Sequence, residues 1–349
     1  MPNIPLISGI PNAKALGFFG EIGYKAILAT TKPKEFQSLT ITKHFFGYKD
    51  EFMSTISKIK WDFNPEDVGV LAPRRGVSKH LMKVFSGTKD VNNVGKLYSI
   101  NNKTKQNIWK TEECNRIKGS DGIIYGPALV QNKKDLEAYL PQLCRSLPLV
   151  FDKEEIILNK IRSYRYKAPF GTFSLENKFY CEPRDPNYQH FDGVLDLMKC
   201  IEGNPPILIS HPHFMEGSTE LSKHFKGLAP NKSLHESFAY LHPRLSVPIF
   251  GVSRMQINMK VNHFGNYFKN LPENLILPLV WFEITTEKFP DKIKSRLILS
   301  TVFVDYLEIF LKYGSFISFM VASFILITQN YFSLKHNVIK IRRVIKNYF

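Results

Sequence analysis

The chain has 349 residues, 44% hydrophobic and 22% charged, a balance that excludes wholesale disorder and supplies a core for one large domain or two ordinary ones. Its formal charge of +16 favours an anionic partner such as nucleic acid, a membrane face or an acidic ligand, although a Lys- and Asn-rich coding bias accounts for the same excess. The aromatic share of 13%, with 28 Phe, suits a β-rich or partly membrane-facing chain.

The opening MPNIPLISGIPNAK does not read as a signal peptide, because its apolar stretch is short, broken by Pro and Gly, and lacks a basic start. Residues 12–31 carry an Ala/Leu/Ile/Phe pattern that predicts a helix, weakened by Gly17, Gly20 and Gly23 and ended by Pro33. Residues 34–47 predict a second helical piece. From about residue 68 the texture changes to short runs bounded by Gly, Asn and Pro, which predict strands and turns: VGVLAP (68–73), LMKVFSG (81–87), GKLYSI (95–100) and DGIIYGPALV (121–130). Residues 133–146 predict a short helix starting near Asp135. LPLVF (147–151), ILIS (207–210), RMQINMKV (254–261) and LILPLVWFEI (275–284) continue the strand pattern. No repeat or interior linker divides this stretch, so it reads as one α+β domain rich in antiparallel strand.

From Tyr313 to Leu334 no side chain is charged, and at ~1.5 Å per helical residue this run crosses the ~30 Å hydrocarbon layer. Tyr313 at one end, with Tyr331 and Phe332 at the other, resemble interfacial aromatics. Lys335, Lys340, Arg342, Arg343 and Lys346 follow the span with no acid among them, whereas Asp305, Glu308 and Lys312 precede it. The positive-inside rule then places the tail in the cytoplasm and residues 1 to about 300 outside or in a lumen. Without the five tail charges the remainder keeps an excess of +11, which still favours anionic ligands, and on that side of a membrane nucleic acid is a poor candidate. The tail itself, basic and partly apolar, reads first as a topology signal and second as a segment able to lie on anionic lipid.

Four cysteines, Cys114, Cys144, Cys181 and Cys200, include no C-x-x-C pair, which argues against a zinc ribbon or a thioredoxin-like site. They fit either two disulfides in an oxidising compartment or four buried thiols in a reducing one, and the lumenal topology favours disulfides. No Walker loop, G-x-G-x-x-G, G-x-S-x-G or H-E-x-x-H is present, so no enzyme is expected. His211 and His213 flank Pro212 without a third ligand at ordinary spacing and read as strand-end histidines rather than a metal site. Asn102 and Asn231 head glycosylation sequons, to which a lumenal topology gives weight.

WKTEECNRIKGSDGIIYGPAL (109–129), LCRSLPLVF (143–151), YRYKAP (164–169), GVLDLMKCIEGNPPILISHPHF (193–214), GLAPNKSLH (227–235) and RMQINMKV (254–261) follow one another in the order and spacing of a known family. Together they resemble the class B scavenger receptors, which include fatty-acid translocase, lysosomal integral membrane protein, croquemort and the sensory neuron membrane proteins. HFFGYKDEFM (44–53) is similar to the segment leaving that family's apical helices. The resemblance implies a large antiparallel, barrel-like ectodomain crossed by an apolar tunnel and topped by a helical bundle. It implies 12–53 as apical helices and 60–296 as a β-rich body within an extracytoplasmic domain 1–300. A juxtamembrane segment and transmembrane helix (301–334) and a cytoplasmic tail (335–349) complete the division. It implies the pairing Cys114–Cys181 and Cys144–Cys200, each bridge worth about 3–4 kcal/mol through loop closure. It also implies a receptor without catalysis or cofactor, at the plasma membrane or in the lysosomal membrane, that binds and transfers fatty acids, anionic phospholipids or lipoproteins. The alternatives are a trafficking receptor carrying a protein cargo at its apex, or a chemosensory lipid co-receptor. By position Lys25, Lys32, Lys34 and Lys43 belong to the ligand-recruiting apex, where a mobile ammonium meets carboxylate or phosphate without strict geometry; solvated surface lysines are the plain alternative.

Three departures from the family pattern matter. The segment CEPRDPNYQHFD (181–192) is short and lacks the second cysteine of a third bridge. Leu245-Ser246 stand where the family often has a threonine-glycine turn. The family's N-terminal anchor and first third have no counterpart here, so the chain by itself is expected not to close the sheet, and a stable, monodisperse secreted form of residues 1–300 contradicts that expectation.

Overall fold

The computed structural model describes residues 1–57, 68–72, 76–77, 80–158, 160–177, 180–182, 191–201, 203–285 and 290–346, with side chains up to residue 342 in the last helix. Residues 60–67 at the start of the expected β-rich body, most of the shortened 181–192 segment and the end of the tail (347–349) lie outside the described residues. The chain forms two compact units, Met1–Glu155 with Arg162–Thr286, and Ile156–Ile161 with Glu287–Phe349.

In the first unit, Asn3 caps α1 (Ile4–Ala15) by accepting a 3.1 Å hydrogen bond from the Leu6 amide. The helix expected over 12–31 is in fact two. Gly17, at φ +67°, takes the left-handed turn that ends α1, and α2 (Gly17–Thr31) begins anew. The two helices lock where the Tyr24 ring lies over Gly9, a position at which a Cβ would meet the ring at 2.5 Å, and the Tyr24 hydroxyl donates to the Leu6 carbonyl at 2.6 Å. Of the second helical piece expected over 34–47, only α3 (Ile41–Phe46) is helical, because Glu35 and Gln37 hydrogen-bond with Asn3 and Met1 in an extended segment, and Thr40 then caps α3. Asp50 opens α4 (Glu51–Ser57) by accepting from the Met53 amide.

β1 (Met82–Val84) pairs antiparallel with β2 (Leu97–Ile100). α5 (Glu112–Asn115) and α6 (Pro127–Gln131) are single turns. Two of the expected strands are not strands. VGVLAP makes one bridge, Val68 to Tyr48, and then turns so that Val70 and Leu71 donate to the carbonyls of His44 and Phe45. In DGIIYGPALV the Asp121 side chain holds a turn through the Ile123 amide, and Pro127 sits at the first position of α6, where its missing N–H costs nothing. The helix expected over 133–146 is instead β3 (Leu136–Leu140), a 3₁₀ turn at Pro141–Leu143 and the start of β4 (Arg145–Ile157). Pairing of Leu136–Leu140 with Leu149–Arg145 buries Leu136 and Tyr139 and overrides the local helix preference.

The remaining strands are β5 (Ile161–Lys167), β6 (Leu195–Asp196) and β7 (Ile207–Ser210) and, after the one-turn helix α7 (Lys232–His235), β8 (Phe238–Leu241), β9 (Pro248–Val261) and β10 (Leu275–Thr285). They order as β3-β4-β5-β8-β9-β7-β6, with β10 on β9. The spine is β9, whose first half pairs with β8 and second half with β7 along one edge, while β10 runs along the other from Val252 to Val261. Among the described residues no strand pairs with the second edge of β10. Apolar side chains gather in several clusters. The largest joins Leu6, Ile10 and Tyr24 of the helices to Met259 and Val261 of β9, so the helical layer is seated on the end of the longest strand.

The second unit is helical toward its C-terminus: α8 (Asp291–Ile298), a π turn at Leu299–Phe303 and α9 (Val304–Lys346). Asp291–Arg342 is long and apolar enough to cross a membrane, and its most apolar window has no buried residue.

Candidate functional site

Two features of the first unit include residues singled out from the sequence. One is a rigid frame around the disulfides. Thr111 caps α5 through the Cys114 amide at 3.3 Å, and the structure bonds Cys114 to Cys181 and Cys144 to Cys200, with Cα separations of 5.8 and 5.9 Å. Trp109 and Arg145 tie the bridges together. The fully buried Trp109 indole donates to the Cys144 carbonyl at 2.8 Å. The Arg145 guanidinium lies 4.1 Å from the Trp109 ring centroid and donates to the Cys181 carbonyl at 3.0 Å. Asn115 completes the frame: its Oδ1 accepts from the amides of Ile108 and Trp109, and its Nδ2 donates to the carbonyls of Trp109 and Thr111. The tryptophan and the nearby cysteine-asparagine pair therefore form one constellation with the cysteine-arginine-serine block, 35 residues further on from Trp109 at Cys144. The sequence pointed to each block but not to this stacking.

The other feature is the corner between α1 and α2. Leu16, Phe18 and Phe19 are 76%, 74% and 84% exposed there, and Phe18 and Phe19 meet edge to face. Lys25 projects from α2, 3.9 Å from Glu21 and 5.8 Å above the Phe264 ring. At the far end of α2, about 20 Å along the helix from this corner, Lys32 takes the left-handed cap; Lys34 follows in the extended segment and lends its carbonyl to Asn3 at the start of α1, and Lys43 lies in the last turn of α3; all four lysine side chains are exposed. Sequence reasoning passed over Phe18 and Phe19, although a pair of large aromatics directly after a helix-breaking glycine was a readable signal.

His211 and His213 engage different partners. The His211 imidazole is buried against Phe173, 3.9 Å from Glu216; burial lowers its pKa, and Glu216 only partly offsets this. His213 turns away, with its amide donating to Gln256 and its Nδ1 accepting from the Ala229 amide. Among the described residues no three His, Cys, Asp or Glu side chains converge as metal ligands would. Asn102 is exposed in a two-residue hairpin turn: Asn101 and Asn102 both have positive φ, and Ile100 and Lys103 exchange backbone hydrogen bonds. Asn231 is exposed at the start of α7, its Oδ1 capping the Ser233 amide. At Leu245-Ser246 the chain keeps a left-handed turn, Ser246 standing at φ +56° where glycine is favoured. Beside β5 a charge network forms: Arg165 pairs with Asp152 and, at 2.7 Å, with Glu236, while Lys167 reaches Asp152 at 2.6 Å. Burial pushes the Asp152 carboxyl up, but hydrogen bonds from Lys167 and Arg165 outweigh it and leave the pKa below the usual range.

The model of the CD36 family matches residues 1–329. The chain belongs to the CD36 family. It is 33% identical to sensory neuron membrane protein 1 of Bombyx mori over 228 residues, covering 64% of this chain and 42% of that protein. With lysosome membrane protein 2 of Mus musculus it shares 31% over 267 residues, 76% of this chain and 54% of the relative. With scavenger receptor class B member 1 of Bos taurus it shares 27% over 293 residues, 81% of this chain and 55% of the relative. These relatives are class B scavenger receptors. The chain spans about half the length of the curated relatives it matches.

Proposed function

We propose that this CD36-family chain is a membrane-anchored receptor that binds and transfers amphiphilic anions (fatty acids, anionic phospholipids or lipoproteins) without covalent chemistry. The observation that carries the proposal is the family match over residues 1–329, in company with a relative named a scavenger receptor. The α1–α2 corner supports it physically. Exposed Leu16, Phe18 and Phe19 offer apolar contact at the corner, exposed Lys25 offers positive charge about two turns along α2, and exposed Lys32, Lys34 and Lys43 offer it beyond the far end of α2, so that an extended amphiphile can meet both halves of its complement. In this reading residues 1–300 are the extracytoplasmic domain, with 12–53 as the apical helices above a barrel-like body (60–296) that carries the apolar tunnel. Residues 301–334 are the juxtamembrane and transmembrane segment, and 335–349 the cytoplasmic tail. Two disulfides in the first unit support an oxidising side for it.

The test uses the full chain in nanodiscs with a fluorescent long-chain fatty acid and its methyl ester. Replacing Lys25, Lys32, Lys34 and Lys43 by Glu is expected to weaken carboxylate binding at least ~10-fold while leaving the ester unchanged, since only the charged ligand loses attraction. Equal loss for both ligands removes the lysines from the site, and no binding by the unaltered chain removes the lipid-receptor reading. A second reading, a receptor for a protein cargo on the lysosomal pathway, draws on the likeness to lysosome membrane protein 2; it places the chain in the lysosomal membrane rather than the plasma membrane. Modification of Asn102 and Asn231 in cells tests the topology shared by both readings.

A further inference from the structure

The imidazoles of His213 and His235 are stacked, with ring centroids 4.4 Å apart and planes 10° from parallel. The Trp281 indole meets them at 6.2 and 5.7 Å. Each ring uses Nδ1 as an acceptor: His213 receives the Ala229 amide at 3.1 Å, and His235 receives the Asn231 amide at 3.0 Å. A backbone amide has only a proton to offer, so each Nδ1 must be bare and each proton must sit on Nε2. Two neutral rings thus pin three pieces of chain, the 212–214 turn, the 229–235 segment with α7, and β10 through Trp281.

A proton arriving on either ring puts an N–H at Nδ1 opposite another N–H, which converts the hydrogen bond into a clash. A second proton adds like-charge repulsion at stacking distance. The surroundings give a cation little help. On β9, Arg254 adds positive charge, and its partner on β10, Glu283, is held 2.6 Å from it. Glu236, next to His235, is already paired with Arg165 and Lys167 of β5, and lies 3.8 Å from Lys232 of α7. His211, two residues before His213, is turned toward Glu216. Burial, then His213, then Arg254 lower the pKa of His235.

We propose that the His213–His235–Trp281 stack is an acid-sensitive latch that holds the 229–235 segment against the sheet at neutral pH and releases it as the pH falls below about 6. Release frees the segment that carries Asn231 and leads into Glu236, so the Arg165–Asp152–Glu236 network loosens with it. The sign follows from linkage. His235, which resists protonation when folded, binds a proton more readily when released, so the closed form is fully favoured above about pH 6.5 and loses ground below it. The latch does not depend on the lipid-receptor reading.

Hydrogen exchange of the full chain in nanodiscs tests it, at about pH 7.4 and about pH 5.4, with times scaled for the intrinsic rate. Protection in peptides covering 226–237 is expected to fall at least ~10-fold, one released proton changing the opening equilibrium by up to ~10-fold per pH unit. In the double variant His213→Asn/His235→Asn, whose amide oxygens accept a hydrogen bond without titrating, the change should shrink to less than about twofold. Unchanged protection in the native chain, or an undiminished fall in the variant, overturns the latch. An independent readout keeps both histidines in place. Trp281 fluorescence, isolated by difference against Trp281→Phe, should be quenched as the imidazolium forms over the same pH range, and a flat profile also overturns the proposal.

Discussion

Trp109 and Phe19 are both large aromatics in a basic chain, yet one is 1% and the other 84% exposed. Around Trp109, two disulfides, a stacked guanidinium and four hydrogen bonds to Asn115 remove every alternative arrangement. Around Phe19, nothing but the neighbouring Phe18 ring engages the side chain among the contacts described. The difference separates two uses of aromatic area. In the frame it is buried and contributes to folding, and at the α1–α2 corner it is left exposed to solvent.

Substitutions should break that contrast in order of size. Trp109→Ala removes the centre of the frame and is expected to destabilise the first unit by about 3–5 kcal/mol, read as loss of folded protein and a lowered denaturation midpoint of the full chain. Replacing Cys144 and Cys200 together by Ser opens a loop with a sequence separation of 56 residues and should cost about 4 kcal/mol in the chain-entropy model, checked by denaturant melts with the Cys114–Cys181 bridge intact. Asp152→Asn probes the charge network. The depressed Asp152 pKa means that its stabilisation is complete above the unfolded value of about 4 and is lost as the pH falls through the lower folded value. The variant should therefore lose roughly 1 kcal/mol at neutral pH and show a flatter acid limb in melts from about pH 6 to pH 2. Phe18→Ala with Phe19→Ala is the smallest on this scale. It should change stability by less than about 0.5 kcal/mol while abolishing or sharply weakening lipid binding, and a large destabilisation would return these residues to the core.

Much of the fold was readable where local pattern and tertiary pairing agree. RMQINMKV and LILPLVWFEI alternate or run apolar, and they form the antiparallel pair β9–β10. Reading failed where partners distant in sequence decide. Residues 136–140 satisfy a helical pattern locally, but pairing with 145–149 buries Leu136 and Tyr139 as a strand. DGIIYGPALV looks like a strand until Pro127 starts a helical turn inside it. Likewise the H-P-H motif gave no hint that His213 stacks on His235, twenty-two positions away, because stacking depends on where two separate turns land beside β10.

By itself the sequence determined the family, through ordered motifs over most of the chain, and the apolar C-terminal helix, because twenty or so consecutive uncharged residues have few other folded uses. The break at Gly17 was not read in advance: the glycine weakened the helix expected over 12–31, and only the structure shows it taking the left-handed turn that divides α1 from α2. Tertiary structure alone decided which rings and charges meet. The Trp109–Arg145 stack, the Asp152–Arg165–Glu236 network and the histidine pair are contacts between separate segments, fixed by where the fold lands those segments rather than by any local preference.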